Sequence, residues 1–262
     1  MPEVKITFDA ADDYEQYMGR WSRAIGERFL GWLGAPKDAR WLDVGCGTGA
    51  FSELILRHAA PASLTGIDPS PEQIDFVRKH VPRHTFEVGD SMALPFGERA
   101  FDVVASALVI HFIPDRAKAF AEMHRVLRSG GLVGGYTWKR TAAKNHAPYA
   151  GIMVGVERIG AETLTSPLVP EGTPEGLRAT LAAAGFADVE VTEIEVTRTF
   201  SSFDDYWDTQ AMPFSPSGKT IAKLSDEQRG KLREAMREML PAAADGSITY
   251  ASTAMAGRGR KP

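Results

Sequence analysis

The sequence predicts an α/β protein built on a mostly parallel sheet, and three observations carry that expectation. Residues 41–51 run from an apolar strand through glycines at alternate positions, Gly45, Gly47 and Gly49, and a helical pattern of Phe51, Leu54, Ile55 and Leu56 begins at once. Two further strand-like segments follow, each next to a helical pattern and each ending in an acid, Asp68 and Asp90. Phe101 to Ile110 is almost continuously apolar, as a strand covered on both faces should be. In open sheets of this kind ligands bind outside the carboxyl ends of the strands.

The chain of 262 residues is long enough for one large α/β domain or a domain with a sizeable insertion. Its apolar share of 44% and charged share of 24% are those of a soluble globular protein. A formal net charge of −4 gives no basic footprint for nucleic acid, so small molecules or proteins are the expected substrates. The single cysteine, Cys46, excludes an internal disulfide and fits a reducing, cytoplasmic compartment. Met1 to Lys5 carries no basic and apolar run of a signal peptide, and no stretch approaches the ~20 apolar residues of a membrane span.

Taken in order, residues 12–34 read as a polar and aromatic helical region with Tyr17, Trp21, Ile25 and Phe29 on one face. After the glycine loop, residues 50–59 read as a helix and Ser63 to Asp68 as the second strand. Ser70-Pro71-Glu72-Gln73 opens the next helix, with Ser70 as cap, Pro71 at the first helical position and Gln73 completing a capping box. The third strand is His84 to Asp90, the fourth Phe101 to Ile110. Asp115 caps a helix over 116–128, with Gly130 as its left-handed stop, and Leu132 to Trp138 is the fifth strand. Residues 149–161 and a segment starting at Thr173 and stopping at Gly185 read as helices. Residues 188–199 alternate strictly, as an amphipathic sixth strand does. Residues 202–240 read as helical, with a second capping box at Ser225 to Gln228, and Ser247 to Met255 as the last strand.

The glycine loop separates two ligand classes. The dinucleotide fingerprint is G-x-G-x-x-G, whereas this loop is G-x-G-x-G with Asp43 two residues before the first glycine. It resembles the first motif of the class I S-adenosylmethionine (SAM) dependent methyltransferases, D/E-x-G-x-G-x-G. Gly89-Asp90-Ser91-Met92 followed by Ala93-Leu94-Pro95-Phe96 resembles that family's G-D-A-x-x-L-P-F segment, and Leu127-Arg128-Ser129-Gly130-Gly131 its L-R-P-G-G turn, with Ser129 in place of proline. Tyr14 to Trp21 is similar to the leader of its small-molecule members. Within the family the motifs look most like the ubiquinone/menaquinone-biosynthesis type. The resemblance covers residues 14–138 and implies a Rossmann-like doubly wound seven-stranded sheet, mostly parallel with an antiparallel last strand, plus a helical lid. It implies one domain over 1–262, with 14–138 as cofactor core and 139–262 supplying the remaining strands and a cover over the acceptor.

The implied cofactor is SAM, with S-adenosylhomocysteine as product. Asp43, Gly45, Cys46 and Gly47 would hold its methionine end. Asp68 would take the ribose hydroxyls, with Pro69 and Gln73 beside it. Asp90 would accept from the adenine amine, flanked by Ser91 and Met92. Ala107 and Phe112 at the fourth strand end, and Tyr17 and Arg20 in the leader, complete the implied set. An acid at the position of Asp68 serves a nicotinamide dinucleotide equally well, so an oxidoreductase stays open on that residue alone, and a non-catalytic SAM-binding protein stays open on all of them. The implied reaction is an in-line methyl transfer to a small-molecule acceptor, in which alignment and water exclusion are the protein's main tasks. Tyr14, Tyr17, Trp21, Phe112, Trp138 and Trp207 are candidates for a sulfonium contact or equally for the core. His111 follows the fourth strand and is the candidate general base, its ordinary pKa near 6.5 suiting a proton transfer at neutral pH; the alternative is a pocket wall. The spacing of the six histidines suggests no metal, nor does any C-x-x-C pair or carboxylate cluster, and no G-x-S-x-G elbow suggests a hydrolase.

Overall fold

The computed structural model describes residues 15–141, 145–162 and 168–262, with Glu15 and Gln16 described in the backbone alone. Tyr14 and the terminal Met1 to Lys5 segment lie outside the described residues. The seven strands are β1 (Arg40–Val44), β2 (Ser63–Asp68), β3 (Thr85–Val88), β4 (Phe101–Ala107), β5 (Leu127–Trp138), β6 (Ala187–Phe200) and β7 (Ile248–Arg260). They form one sheet in the order β3-β2-β1-β4-β5-β7-β6. Neighbours from β3 through β5 run parallel, and β7 pairs antiparallel with β5, Leu132 facing Arg260 and Trp138 facing Ala254. The expected seven-stranded, mostly parallel sheet with an antiparallel last strand is therefore present.

The α-helices are α1 (Arg20–Leu33), α2 (Ala50–His58), α3 (Pro71–His80), α4 (Arg116–Val126), α5 (Ala150–Arg158), α6 (Pro174–Ala183), α7 (Phe203–Gln210), α8 (Pro216–Ile221) and α9 (Asp226–Met239). A π-helical turn, Glu15–Gly19, precedes α1. Among the described residues no helix is long and apolar enough to cross a membrane.

The chain divides into two compact units, each built from separated segments. The first comprises the described residues of Met1–Trp21, Asn145–Pro167 and Val196–Ser252; the second those of Ser22–Lys144, Leu168–Glu195 and Thr253–Pro262. In the second unit Val104, the most central of the β4 positions, is fully buried with Leu42, Val133, Phe120, Met123 and Leu181 around it. Ile74, Val77, Val81 and Phe86 pack with Cys46 in a smaller cluster. This is why β4 reads as continuously apolar: both of its faces are covered. In the first unit Tyr17 and Trp21 are buried, and in the second Ile25 and Phe29 are fully so, which matches the one-face spacing of residues 17–29.

Several boundaries differ from the sequence expectation. The helix expected over 116–128 ends at Val126, and Leu127 is already extended. Gly130, with φ +73, does not stop the helix but sits in an irregularity of β5, where the register jumps from Phe101–Leu127 to Val103–Leu132. That bulge lets Arg128 reach back to Asp102, which also receives Arg40. The helical stretch 202–240 is three helices, α7 to α9, each started by its own serine cap at Ser202, Ser215 and Ser225. The capping box at Ser225 is complete. At Ser70 only half of a box forms: Ser70 Oγ accepts from Gln73 N–H at 3.3 Å, but Ser70 N–H donates to Asp68 Oδ1, leaving the Gln73 side chain for the glycine loop. The last strand runs to Arg260, five residues beyond the expected end.

Candidate active site

The site is built at the carboxyl tips of β1 to β4. Gly45, Gly47 and Gly49 all have left-handed backbone angles, φ +78, +53 and +93. A side chain on Gly45 would also collide with Val109, its Cβ lying 2.5 Å from a Val109 methyl. One on Gly47 would stand 2.8 Å from Gln73 Oε1. Both backbone angle and space therefore require glycine. The loop is hooked onto β2, since Gly45 and Cys46 N–H both donate to Ile67 O, at 2.7 and 3.0 Å.

Asp68 ties three pieces together. Its Oδ2 accepts from Gly47 N–H and its Oδ1 from Ser70 N–H, each at 3.0 Å. Burial raises its pKa while those two backbone donors pull it down. Each carboxylate oxygen keeps a second lone pair for a ligand hydroxyl. Pro69 is exposed and Gln73 half-buried beside it. Asp43 is buried completely; Ser52 Oγ donates to its Oδ2 at 2.6 Å, and its Oδ1 has no hydrogen-bond partner. Burial, opposed by the Ser52 bond and assisted by the Asp68 charge, pushes the Asp43 pKa up to about 7. Cys46 is buried, and burial with the neighbouring Asp43 and Asp68 charges holds its thiol far above the usual range, so it is a packing residue.

Asp90 follows β3, beside β2 through Asp68–Val88 pairing and a Gly89 N–H to Asp68 O bond of 3.0 Å. It is exposed, and its Oδ1 accepts from Met92 N–H at 2.8 Å, which folds Ser91 and Met92 into a half-buried turn. Val88, 48% exposed, stands just before it. At the tip of β4, Ala107 is half-buried and Leu108 takes φ +59, an outlier for a branched-chain residue. Leu108 N–H donates to Tyr136 O at 2.9 Å, and the turn sets Val109 against Gly45.

His111 lies in a short 3-10 turn, Ile110–Phe112, rather than directly on the strand end. Its Nδ1 is 3.0 Å from Thr137 Oγ1 on β5. Burial, then the charge of Arg140, lowers its pKa to about 4, so the near-neutral pKa assumed from the sequence is not the one the fold imposes. Phe112 lies against the His111 ring, 4.0 Å between centroids, and is 55% exposed.

Thus Asp43, Gly45, Cys46, Gly47, Asp68 and Gln73 are brought into one cluster, with Asp90 to Met92 on the next strand tip and Ala107, His111 and Phe112 on the other side. Tyr17 and Arg20 belong to the first unit. There Tyr17 is buried with its hydroxyl 3.3 Å from Ser217 Oγ, and Arg20 is exposed. Sequence reasoning missed Ser52, Leu108 and Thr137. Each acts through a partner distant in sequence or through an unusual backbone angle, and no local pattern announces either. His80 and His84 do stand at an H-x-x-x-H spacing, but α3 ends at His80, whose ring stacks on Phe76. Among the described residues no group of three or more His, Cys, Asp or Glu could hold a metal. A separate groove of about 840 Å³, with Pro114, Arg116, Glu171 and Thr180 in its lining, shares no residue with this cluster. Its buried Glu171 is already paired with Arg116 and Thr180.

Residues 42–134 match the family model described as a methyltransferase domain. The chain is 34% identical over 111 residues to a malonyl-[acyl-carrier protein] O-methyltransferase of Serratia marcescens, covering 42% of this chain and 43% of that one. It is 36% identical over 121 residues to a ubiquinone/menaquinone biosynthesis C-methyltransferase of a Geobacter species, covering 44% and 50%. The chain thus spans about half the length of the curated relatives it matches. A crystal structure described as a putative methyltransferase of Bacillus halodurans aligns with a TM-score of 0.57 at 16% identity, covering 90% of this chain and 98% of that one, a likeness of fold. Residues 42–134, which carry the glycine loop and strand-tip acids of the cluster above, are thus similar to a methyltransferase domain.

Proposed function

We propose that this chain transfers the methyl group of SAM to a small-molecule acceptor. The observation that carries the reading is the bond between Gly47 N–H and the Asp68 carboxylate, which joins a side-chain-free, left-handed loop to an acid on the adjacent strand tip. The residues fit the cofactor. The bare loop admits close approach of its methionine end, and the second lone pairs of Asp68 suit vicinal ribose hydroxyls. Asp90 and the turn to Met92 suit the adenine edge, with exposed Val88 and Phe112 as apolar flanks. Ser91, Gln73, Pro69, Ala107, Cys46 and Asp43 complete the proposed set. When bound, SAM supplies an activated sulfonium methyl that an in-line nucleophile can displace.

The chain's own part is orientation, which can lower a barrier by roughly 7–11 kcal/mol. His111 is neutral at pH 7 and is a weak proton acceptor there, since burial, and after it the charge of Arg140, opposes its charging. It is therefore a wall and an orienting group, fixed by Thr137, and acceptors that present an unprotonated nucleophile are favoured. The Serratia relative is named for O-methylation and the Geobacter relative for C-methylation, so the acceptor atom is left to experiment. The net charge of −4 supports a small molecule over nucleic acid, and the single buried cysteine supports the cytoplasm.

Calorimetry with SAM, S-adenosylhomocysteine and reduced nicotinamide dinucleotide tests the cofactor, and incubation of methyl-labelled SAM with a metabolite extract tests the transfer. Binding of SAM with label passing to a small molecule is expected. Binding of the dinucleotide alone would sink the reading; SAM binding with no label transferred from any extract would leave a binding protein.

A further inference from the structure

Asp43 and Asp68 flank the glycine loop, and the fold treats them unequally. Asp68 accepts from two backbone N–H groups, each at 3.0 Å. Asp43 is fully buried and accepts from one group, the Ser52 hydroxyl at 2.6 Å, while its Oδ1 has no hydrogen-bond partner. Around it, β2 ends in the Asp68 carboxylate and the loop carries the Cys46 thiol. The helix α2 meets it through the neutral Ser52, and Ala105, opposite Asp43 on β4, has no charge. Among the described residues no cation pairs with Asp43.

A carboxylate removed from water, with one donor, no cation and a second carboxylate close by, is disfavoured as an anion. Burial, opposed by the Ser52 bond and assisted by the Asp68 charge, accordingly pushes the Asp43 pKa up to about 7. Near neutrality the group therefore holds or releases its proton according to the charge brought beside it. The cofactor and its product differ in that charge. SAM carries a positive sulfonium, S-adenosylhomocysteine a neutral thioether, and both have the same amino-acid end. A sulfonium at the loop supplies the positive charge that Asp43 lacks; a thioether supplies none.

We propose that Asp43 is the residue by which the site distinguishes SAM from S-adenosylhomocysteine, ionising when the sulfonium form is bound and keeping its proton when the thioether form is bound. The inference rests on the reading above, in which the glycine loop holds the methionine end of the cofactor. By linkage, SAM binding then expels a proton below about pH 7, so its affinity rises with pH while that of the product changes little. Acidification shifts the site from SAM towards the product.

Calorimetry of the full chain with SAM and with S-adenosylhomocysteine, stepped from about pH 5 to about pH 7 in two buffers of different ionisation enthalpy, reads affinity and proton release together. Near pH 6 about one proton is expected to leave per SAM bound, and less than half as many per product bound. The ratio of SAM affinity to product affinity is expected to rise about tenfold over that range, since each proton released is worth a factor of ten per pH unit. In Asp43→Asn, which has no proton to release, the ratio is expected to stay flat. Ser52→Ala reads the same group should Asp43→Asn fail to fold: it removes the donor that favours the anion and is expected to move the rise to higher pH. A ratio that is flat in the wild type, still rises in Asp43→Asn or is unmoved in Ser52→Ala overturns the proposal and leaves the methyl-transfer reading in place. Binding of neither SAM nor product overturns that reading, and this inference with it.

Discussion

At the scale of single residues, the two carboxylates beside the glycine loop are held in different ways. Asp68 is held by backbone donors, so Asp68→Ala removes the anchor of Gly47 and the turn before α3 as well as a ligand contact. Two lost hydrogen bonds to a charged group are expected to destabilise the fold by about 2–4 kcal/mol and to weaken SAM by a similar amount. Urea unfolding and calorimetry on the same variant check both; unchanged stability would mean the loop holds its shape without the acid. A strand-tip acid read from sequence gives the ligand role and a small folding effect; the folding role is invisible there, because it depends on where Gly47 turns. Asp43 has no backbone donors and is buried outright. Its folded pKa, about 7, lies above the unfolded value near 3.9, so between those pH values the native state holds the extra proton. Stability from this group therefore falls as pH rises from about 4 to about 7. Asp43→Asn has no such titration, so the wild type minus Asn stability difference is expected to decline across that window and level off above it. A flat difference would show that Asp43 ionises as an ordinary surface acid. His111 works in the other direction on the acid side. Its pKa is depressed to about 4, so its contribution is whole above 6.5 and is lost as pH falls towards 4. Any acidic limb in turnover that belongs to His111 belongs near pH 4. In a profile measured with an acceptor in hand, a limb near 6.5 that vanishes in His111→Gln would restore the general-base role.

At the scale of elements, the caps were the most legible part of the chain. Asp115 accepts from Lys118 N–H, Thr173 from Gly176 N–H and Ser225 from Gln228 N–H, each where the residue pattern placed it. Such signals are local: one side chain and the next turn decide them. The carboxyl end of α4 shows the limit. Gly130 suggested a left-handed stop, but the helix is closed by Lys261, 134 or more residues away, whose Nζ donates to His124 O, Arg125 O and Leu127 O at 2.7, 3.3 and 2.9 Å. A lysine on those carbonyls also complements the helix dipole. Lys261→Met keeps the apolar stem and removes the ammonium, and is expected to destabilise by about 1–2 kcal/mol, with faster amide exchange in the last turn of α4. Equal exchange in the two proteins would assign that helix end to packing alone.

At the scale of the whole molecule, the family match ends at residue 134, yet the second unit does not. Its last two segments, Leu168–Glu195 and Thr253–Pro262, return from beyond the matched region. The second of them is the β7 stretch that pairs with β5 over seven residues, Leu132–Trp138 against Ala254–Arg260. Leu177, Leu181, Phe186 and Met255 from the same segments sit in the main core with Val104 and Val133. These contacts were hard to read from sequence because this part of β7 is rich in small residues, Ala254, Ala256, Gly257 and Gly259, which carry little hydrophobic pattern of their own. The glycines are there because Leu177, Leu181 and Phe186 fill the space above them. A fragment ending at residue 141 would keep every motif named for the cofactor but lose that cover. It would expose a long apolar β5 edge, whose unpaired N–H and C=O groups invite association with another chain. It would also strip the side chains that bury Val133, each worth roughly 1.5–3 kcal/mol when fully buried, against a total stability of about 5–15 kcal/mol. The fragment 1–141 is therefore expected to show no cooperative unfolding and no SAM binding, and to aggregate at micromolar concentration. Circular dichroism melts and calorimetry on the purified fragment decide this. A folded, SAM-binding fragment would mean that the matched region is a complete cofactor domain and that the returning segments serve the acceptor alone.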